Sequence, residues 1–219
     1  MGIIRYLESD PTLFVCLVLC LIFSLCFHEY AHGIVAFYLG DDTAYRQGRL
    51  TLNPLAHLDP IGSAMILFIG IGYAKPVPVN PYNLSNYRQD MIKIAAAGPV
   101  SNLLLSFLGI FTYYLMNPEN TSTLAIFLQI FIHINTALAV FNLIPMHPLD
   151  GGQIFTNLLS RKFPNFTQNL HLYGPRILLV VIMIGIFTGY SILWMIIGPI
   201  VTFIINFFDI IISFIFKIF

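Results

Sequence analysis

Charge is what this sequence has least of. Of 219 residues, ten are Lys or Arg and ten are Asp or Glu, so charged residues make up only 9% and the net charge is zero. Soluble domains carry about a quarter charged residues, so composition rules against a soluble globular protein. Zero net charge also gives no argument for nucleic acid as a partner. Cysteine is scarce as well. Cys16, Cys20 and Cys26 all fall in one apolar segment, and an odd count there does not suggest a disulfide framework. A cleaved signal peptide is not expected, because Arg5 is outweighed by Glu8 and Asp10 and the apolar run that follows is too long. What remains is abundant apolar residue, 58% of the chain with a mean hydropathy of +0.83. The class is an all-α polytopic membrane protein with the lipid bilayer as its surroundings.

The apolar runs set the organisation. Residues 11–39, 91–115, 123–144, 177–197 and 199–216 are each long enough to span the hydrocarbon. Residues 61–72 are apolar but too short for a comfortable span, which favours a re-entrant or interfacial segment. Between the first run and this one, residues 45–54 combine β-prone side chains, Gly48 and a Pro54 stop. They read as a short membrane-surface β-hairpin or extended segment. Pro76, Pro78 and Pro81 then forbid a helix and favour extended backbone. Residues 145–176 read as a polar connection, and Gly198-Pro199 as the break between the last two spans. The expected architecture is one integral membrane domain over residues 1–219, with a core at about 11–153 and a C-terminal helical hairpin at about 177–216. If residues 61–72 do not cross, Arg46, Arg49, Lys75, Arg88, Lys93, Arg161, Lys162, Arg176 and Lys217 share one side and Arg5 stands alone on the other. The positive-inside rule then puts the N-terminus outside and the C-terminus in the cytoplasm. If the segment crosses, Arg46 and Arg49 change company and the charge split barely alters, so segment length decides.

Chemistry concentrates in His28-Glu29-Tyr30-Ala31-His32, an H-E-x-x-H pattern inside the first span. Histidines four apart lie on one helix face and can hold one metal ion, and the glutamate between them can serve as general base. Zinc needs a third protein ligand and an open fourth position. The histidines lie about ten residues or fewer from the cytoplasmic end, roughly 10–15 Å. Glu8, Asp10 and Glu119 belong to the outer side. Asp150 follows the inward-running span 123–144 and suits the position, with His147 as rival. The plainer reading of Asp150 is a helix N-cap. Turn chemistry before Pro60 accounts for His57 and Asp59 as readily as a part in shaping the site. For Asn102, His133 and Asn135 the first reading is hydrogen bonding between helices.

H-E-x-x-H in a first span, with Asn142-x-x-Pro145 and Asp150-Gly151 in a later one, resembles the site-2 protease family of intramembrane zinc metalloproteases. Asn53-Pro54-x-x-His57-x-Asp59-Pro60-x-Gly62, the 74–80 loop and Gly98-Pro99-x-x-Asn102 extend the likeness up to about Gln153. His147 departs from it, since relatives often carry proline there. The resemblance implies one Zn2+ per chain on His28, His32 and Asp150, with Glu29 as base and Asn142 helping to hold the oxyanion. It also implies cleavage of a peptide bond within or near the transmembrane segment of a membrane-protein substrate. The site would lie toward the cytoplasmic face of a multi-pass protein, in the inner membrane if the cell is prokaryotic. Rival classes are a catalytically silent membrane adaptor of the same fold and a transporter.

Overall fold

The computed structural model describes residues 2–70 and 72–218. Its frame is α1 (Pro11–Tyr38), α2 (Pro60–Phe68), α3 (Tyr87–Met116), α4 (Thr123–Asn142), α5 (Asp150–Leu159), α6 (Pro164–Thr188) and α7 (Ile192–Ile218). Helix starts follow local chemistry. The Asp10 carboxylate accepts the Leu13 N–H at 2.9 Å ahead of Pro11, and Asp59 accepts from Ile61 and Gly62 ahead of Pro60. Turn chemistry is therefore what Asp59 does. The five helices α1, α3, α4, α6 and α7 are long and apolar enough to cross a membrane. The nine-residue α2 measures about 14 Å, less than half of the roughly 30 Å hydrocarbon thickness. Ile71, in the same short apolar segment, lies outside the described residues.

Several expectations need correction. Among the described residues there is no strand, so the β-hairpin after the first span is absent. Residues 43–49 close on themselves instead. Thr43–Arg46 forms one helical turn, Arg46 N–H reaches Asp42 C=O at 2.9 Å, and Arg49 N–H reaches Ala44 C=O at 2.8 Å. Backbone groups satisfied locally have nothing left for a partner strand. Residues 145–176 are not one polar connection, since they carry α5 and the first half of α6. The last two helices part at Gly189, not at Gly198-Pro199. Gly189 takes φ +77°, its N–H closes on Gly185 C=O, and Ser191 Oγ caps the Trp194 N–H at 3.2 Å. A left-handed glycine followed by a serine cap ends and restarts a helix more effectively than a proline that the neighbouring helices tolerate. Pro199 accordingly lies inside α7.

Packing gives each helix its direction. His28 of α1 meets Asn102 of α3, and Cys20 lies beside the Phe127 carbonyl of α4 at 3.8 Å. Ser106 of α3 bonds Thr136 of α4 at 2.6 Å. The helices α1 and α4 therefore run one way and α3 the other. Val140 of α4 packs on Ile197 and Val201 of α7, while Ile132 packs on Ile212, so α7 runs with α3. Phe216 then stacks against Tyr114, near the end of α3. The start of α1 and the end of α7 thus share one end of the bundle, called here the far end. Both ends of α6 lie at the opposite end, and its packing is mainly on α5 and α7. This differs from the expectation of termini on opposite sides. Single cysteines at Glu8 and Lys217, in a chain whose own cysteines are replaced, should react with an impermeant maleimide from the same side of sealed vesicles. Labelling from opposite sides would refute the packing directions.

Candidate metal centre

Helix α1 presents His28 and His32 one turn apart, both buried, toward α3. A partner on Nδ1 fixes each ring. His28 Nδ1 lies 2.6 Å from Asn102 Oδ1, and His32 Nδ1 lies 2.6 Å from the Ile94 carbonyl. Both partners accept, so both Nδ1 atoms donate and both Nε2 lone pairs face inward. The Asn102 orientation is itself fixed, because its Nδ2 donates to Ser24 C=O at 3.2 Å and to Asn135 Oδ1 at 2.9 Å. Asn102 and Asn135 are therefore the interhelical bonds expected of them, and they also hold a candidate ligand.

Asp150 closes the cluster from the first position of α5. Its Oδ2 lies 3.2 Å from His28 Nε2 and 3.4 Å from His32 Nε2, and the two nitrogens are 3.1 Å apart. Zinc–ligand bonds of about 2.0–2.1 Å in a tetrahedron put ligand atoms roughly 3.3 Å apart. Asp150 Oδ2 is buried without a hydrogen-bond donor. Three acceptors that converge without a proton between them suit a cation, and these residues can hold zinc. The glycines after Asp150 let it reach this place. A Cβ on Gly151 would strike the Leu143 and Ile144 carbonyls, and one on Gly152 would come within 2.5 Å of the His147 backbone nitrogen. His147 is turned elsewhere. Its Nε2 pairs with Thr156 Oγ1 at 2.9 Å, its ring stands edge-on to His171 at 4.5 Å, and burial together with His171 lowers its pKa. His133 lies far down α4, exposed, bonded to its own helix at the Gln129 carbonyl.

Glu29 follows His28 and lines the same cavity, where its Oε2 accepts the Val77 N–H at 2.9 Å. The Val77 segment is extended, as its prolines require, and is tied down at several points. Lys75 N–H donates to His57 C=O at 2.7 Å, and Arg49 donates to the Lys75 carbonyl at 2.8 Å. Asn80 N–H donates to Asp41 Oδ2 at 2.6 Å. His57 thus shapes the site indirectly, its ring braced on the Thr51 carbonyl at 2.7 Å. Burial opposes ionisation of Asp41, but donors from Thr43, Asn80 and Asn83 outweigh it and hold the carboxyl below its ordinary pKa. The whole cavity is about 550 Å³, walled by Leu25, Met91, Leu138 and Phe141, with Asn142 and Gln153 on its rim.

One residue of the centre entered the sequence reading only as part of Gly98-Pro99-x-x-Asn102, without a place beside the metal ligands. A Cβ on Gly98 would stand 2.5 Å from His32 Nε2 and 2.6 Å from His28 Nε2. The bare backbone at this point of α3 leaves the space that the two nitrogens face. The available clue was its spacing, four residues before Asn102 and so on the same helix face.

Residues 116–182, which include Asp150, match the profile of peptidase family M50. The chain is 40% identical over 197 residues to YwhC of Bacillus subtilis (strain 168), provisionally named a zinc metalloprotease, covering 87% of this chain and 89% of YwhC. It is 35% identical over 139 residues to Rip2 of Mycolicibacterium smegmatis, covering 58% of this chain and 51% of Rip2. With MJ0611 of Methanocaldococcus jannaschii it shares 31% over 129 residues, 58% of this chain and 62% of that protein. Both carry the same provisional name. No solved structure matches the chain.

Two outcomes follow from the geometry. Gly98→Ala should reduce bound zinc, measured by metal analysis of the purified protein, whereas Gly185→Ala, with only ordinary contacts at 3.5 Å, should retain it. Equal zinc in both variants would contradict the placing of Gly98. Asp41→Asn should lower thermal stability by about 2 kcal/mol at neutral pH, through buried donors left poorly paired. Because the folded carboxyl has the depressed pKa, its stabilisation is complete above the ordinary value of about 3.9 and fades as pH falls through the lower, folded value. The stability gap between the native chain and Asp41→Asn should therefore hold from pH 7 down to about 4 and close only below that. A gap that closes between pH 7 and 5 would contradict the assignment.

Proposed function

The chain belongs to peptidase family M50, and from that premise we propose that it is an intramembrane zinc endopeptidase that cuts a peptide bond within or near the transmembrane segment of another membrane protein. The observation that carries this reading is the convergence of His28, His32 and Asp150 beside Glu29 in one apolar-walled cavity between membrane-length helices. Zn2+ is the cofactor, and the His28, His32 and Asp150 side chains would hold it. When bound, it supplies Lewis-acid polarisation of a carbonyl and a lowered pKa for water.

The protein's own groups do the rest. Asn102 and the Ile94 carbonyl keep both imidazoles in the tautomer that presents Nε2. Glu29 takes a proton from the attacking water and returns it to the leaving amide nitrogen. The Val77 N–H anchors Oε2, so that the carboxylate keeps one aim through both transfers. Asn142 gives one Nδ2 proton to the Leu138 carbonyl at 3.0 Å and has a second for the carbonyl oxygen as it gains charge. Apolar walls receive an unwound stretch of substrate, because an intact helix would hide its carbonyls in its own hydrogen bonds. The prolines at 76 and 78 offer no N–H, the Lys75 and Val77 N–H groups are engaged, and Arg49 takes the Lys75 and Pro76 carbonyls, which leaves the Val77 and Pro78 carbonyls as acceptors for a bound strand.

Charge supports a cytoplasmic placing of the site. Arg46, Arg49, Lys75, Arg88, Lys93, Arg161, Lys162 and Arg176 belong to the site end, while Arg5 and Lys217 belong to the far end. In a prokaryote this is the inner membrane. The decisive experiment uses the chain in proteoliposomes with a single-span reporter whose helix carries a central Gly-Pro pair. Glu29→Gln should slow cleavage by about 10²–10⁴-fold with zinc retained. Unchanged cleavage would end the proteolytic reading, and absence of cleavage by the native chain would favour a silent adaptor.

A further inference from the structure

Helix α7 carries an acid in its span that the metal centre does not use. Asp209 stands among apolar residues, nine positions before the helix ends at Ile218. Its Oδ1 accepts the Tyr114 hydroxyl at 3.0 Å. Among the described residues no basic group pairs with it. An ionisable group at membrane depth is retained for a reason, and the first question is its partner. Thr202, Asn206, Asp209 and Ser213 follow one another at intervals of four, three and four, which draws a single polar stripe along α7. Thr202 and Asn206 are exposed, and Asn206 has no side-chain partner among the described residues. Beside the stripe, Gln129 and His133 of α4 face the same cavity, about 340 Å³ in volume, that Asp209 lines. His133 Nδ1 donates to the Gln129 carbonyl at 2.9 Å, which leaves Nε2 as an acceptor. The cavity therefore offers a carboxylate oxygen and an imidazole lone pair, and no Lys or Arg lines it to balance the carboxylate charge.

We propose that this groove between α4 and α7, at the far end of the bundle, docks a transmembrane helix of a partner protein through a Lys or Arg side chain seated on Asp209. A basic side chain supplies both the missing charge and several donors. The shape favours a helix over a lipid headgroup. From Thr202 to Ser213 the stripe runs about 16 Å, and exposed Phe203, Phe207 and Ile210 flank it. A headgroup confined to the membrane surface does not follow a stripe of that length. A second copy of the chain does not fit, because the same face would set Asp209 against Asp209. Its Lys and Arg residues, moreover, lie toward helix ends or in connections, except Arg176 at the middle of α6, a helix that packs mainly on α5 and α7.

The test measures association by energy transfer in phosphatidylcholine vesicles. It uses the full zinc-loaded chain in a Glu29→Gln background, so that cutting cannot interfere and failure of the proteolytic reading leaves the result intact. The probe is a Leu-Ala single-span helix with one Lys at the depth of Asp209, compared with the same helix carrying Leu there. The Lys helix should bind about tenfold tighter, as expected for one charge-assisted contact. Asp209→Asn should erase that preference with zinc content unchanged, and Asp209→Glu should keep it. Equal binding of the two helices, or a preference that survives Asp209→Asn, overturns the proposal. So does displacement of the Lys helix by phosphatidylethanolamine, which would assign the site to a headgroup. Self-association that Asp209→Asn abolishes would assign it to a second copy and overturn the proposal equally.

Discussion

Two imidazole nitrogens and one carboxylate oxygen, all acceptors, lie within 3.4 Å of one another inside an apolar bundle. Such a cluster repels itself unless a cation sits in it. Much of the surrounding structure serves that constraint. Asn102 and the Ile94 carbonyl take the Nδ1 protons, Asn135 and the Ser24 carbonyl hold Asn102, and Gly98 withholds a side chain where one would fill the space. The bundle core is correspondingly polar at this level. Ser24, Asn102, Ser106, Asn135 and Thr136 are all fully buried, and they join α1, α3 and α4 by hydrogen bonds where soluble helices would rely on large apolar side chains.

The candidate base is controlled from the other direction. Glu29 lies on the same rigid helix as the two histidines, but its carboxylate is aimed by the Val77 amide, which belongs to a segment without secondary structure. That segment keeps its place through Asp41, Arg49 and His57, residues scattered over the loops that follow α1. The candidate metal ligands are thus set by helix packing and the candidate base by loop anchoring. Disturbance of the loops should alter proton transfer before it alters metal binding.

The long apolar runs, H-E-x-x-H and the order of motifs were legible in the sequence because each is a local pattern with a fixed physical meaning. Asp150 was legible through the direction of the span before it. Other features depend on what packs beside them. Residues 45–54 have the composition of a hairpin, yet local bonds to the carbonyls of residues 42–45 consume the N–H groups of residues 46–49. Pro199 reads as a helix break, but Gly189 and Ser191 make a better one ten residues earlier. Gly98 reads as a packing glycine until the two rings beside it are located. His147 and Asp150 differ by three positions, and only the fold of 143–149 decides which of them turns toward the histidines.

The two polar regions of the bundle are separate, which makes the cavity one-sided. Beyond the Asn102–Asn135 and Ser106–Thr136 pairs comes an apolar cluster of Ile110, Ile132 and Ile212, with Phe107, Phe111, Phe208 and Phe216 around it. This cluster lies between the metal centre and the far end, where α1 begins and α7 ends. Hydrolysis consumes water, and a path through that layer would have to hydrate large apolar side chains at every step. At the site end, by contrast, the connections around His57, Lys75 and Gln153 bring polar groups close to the cavity. Under the proposed function, water and an unwound substrate would approach from the site end, and Asp209 lies across the apolar layer from the candidate metal centre. Occupancy of its groove is free to hold a partner helix without wetting the metal centre.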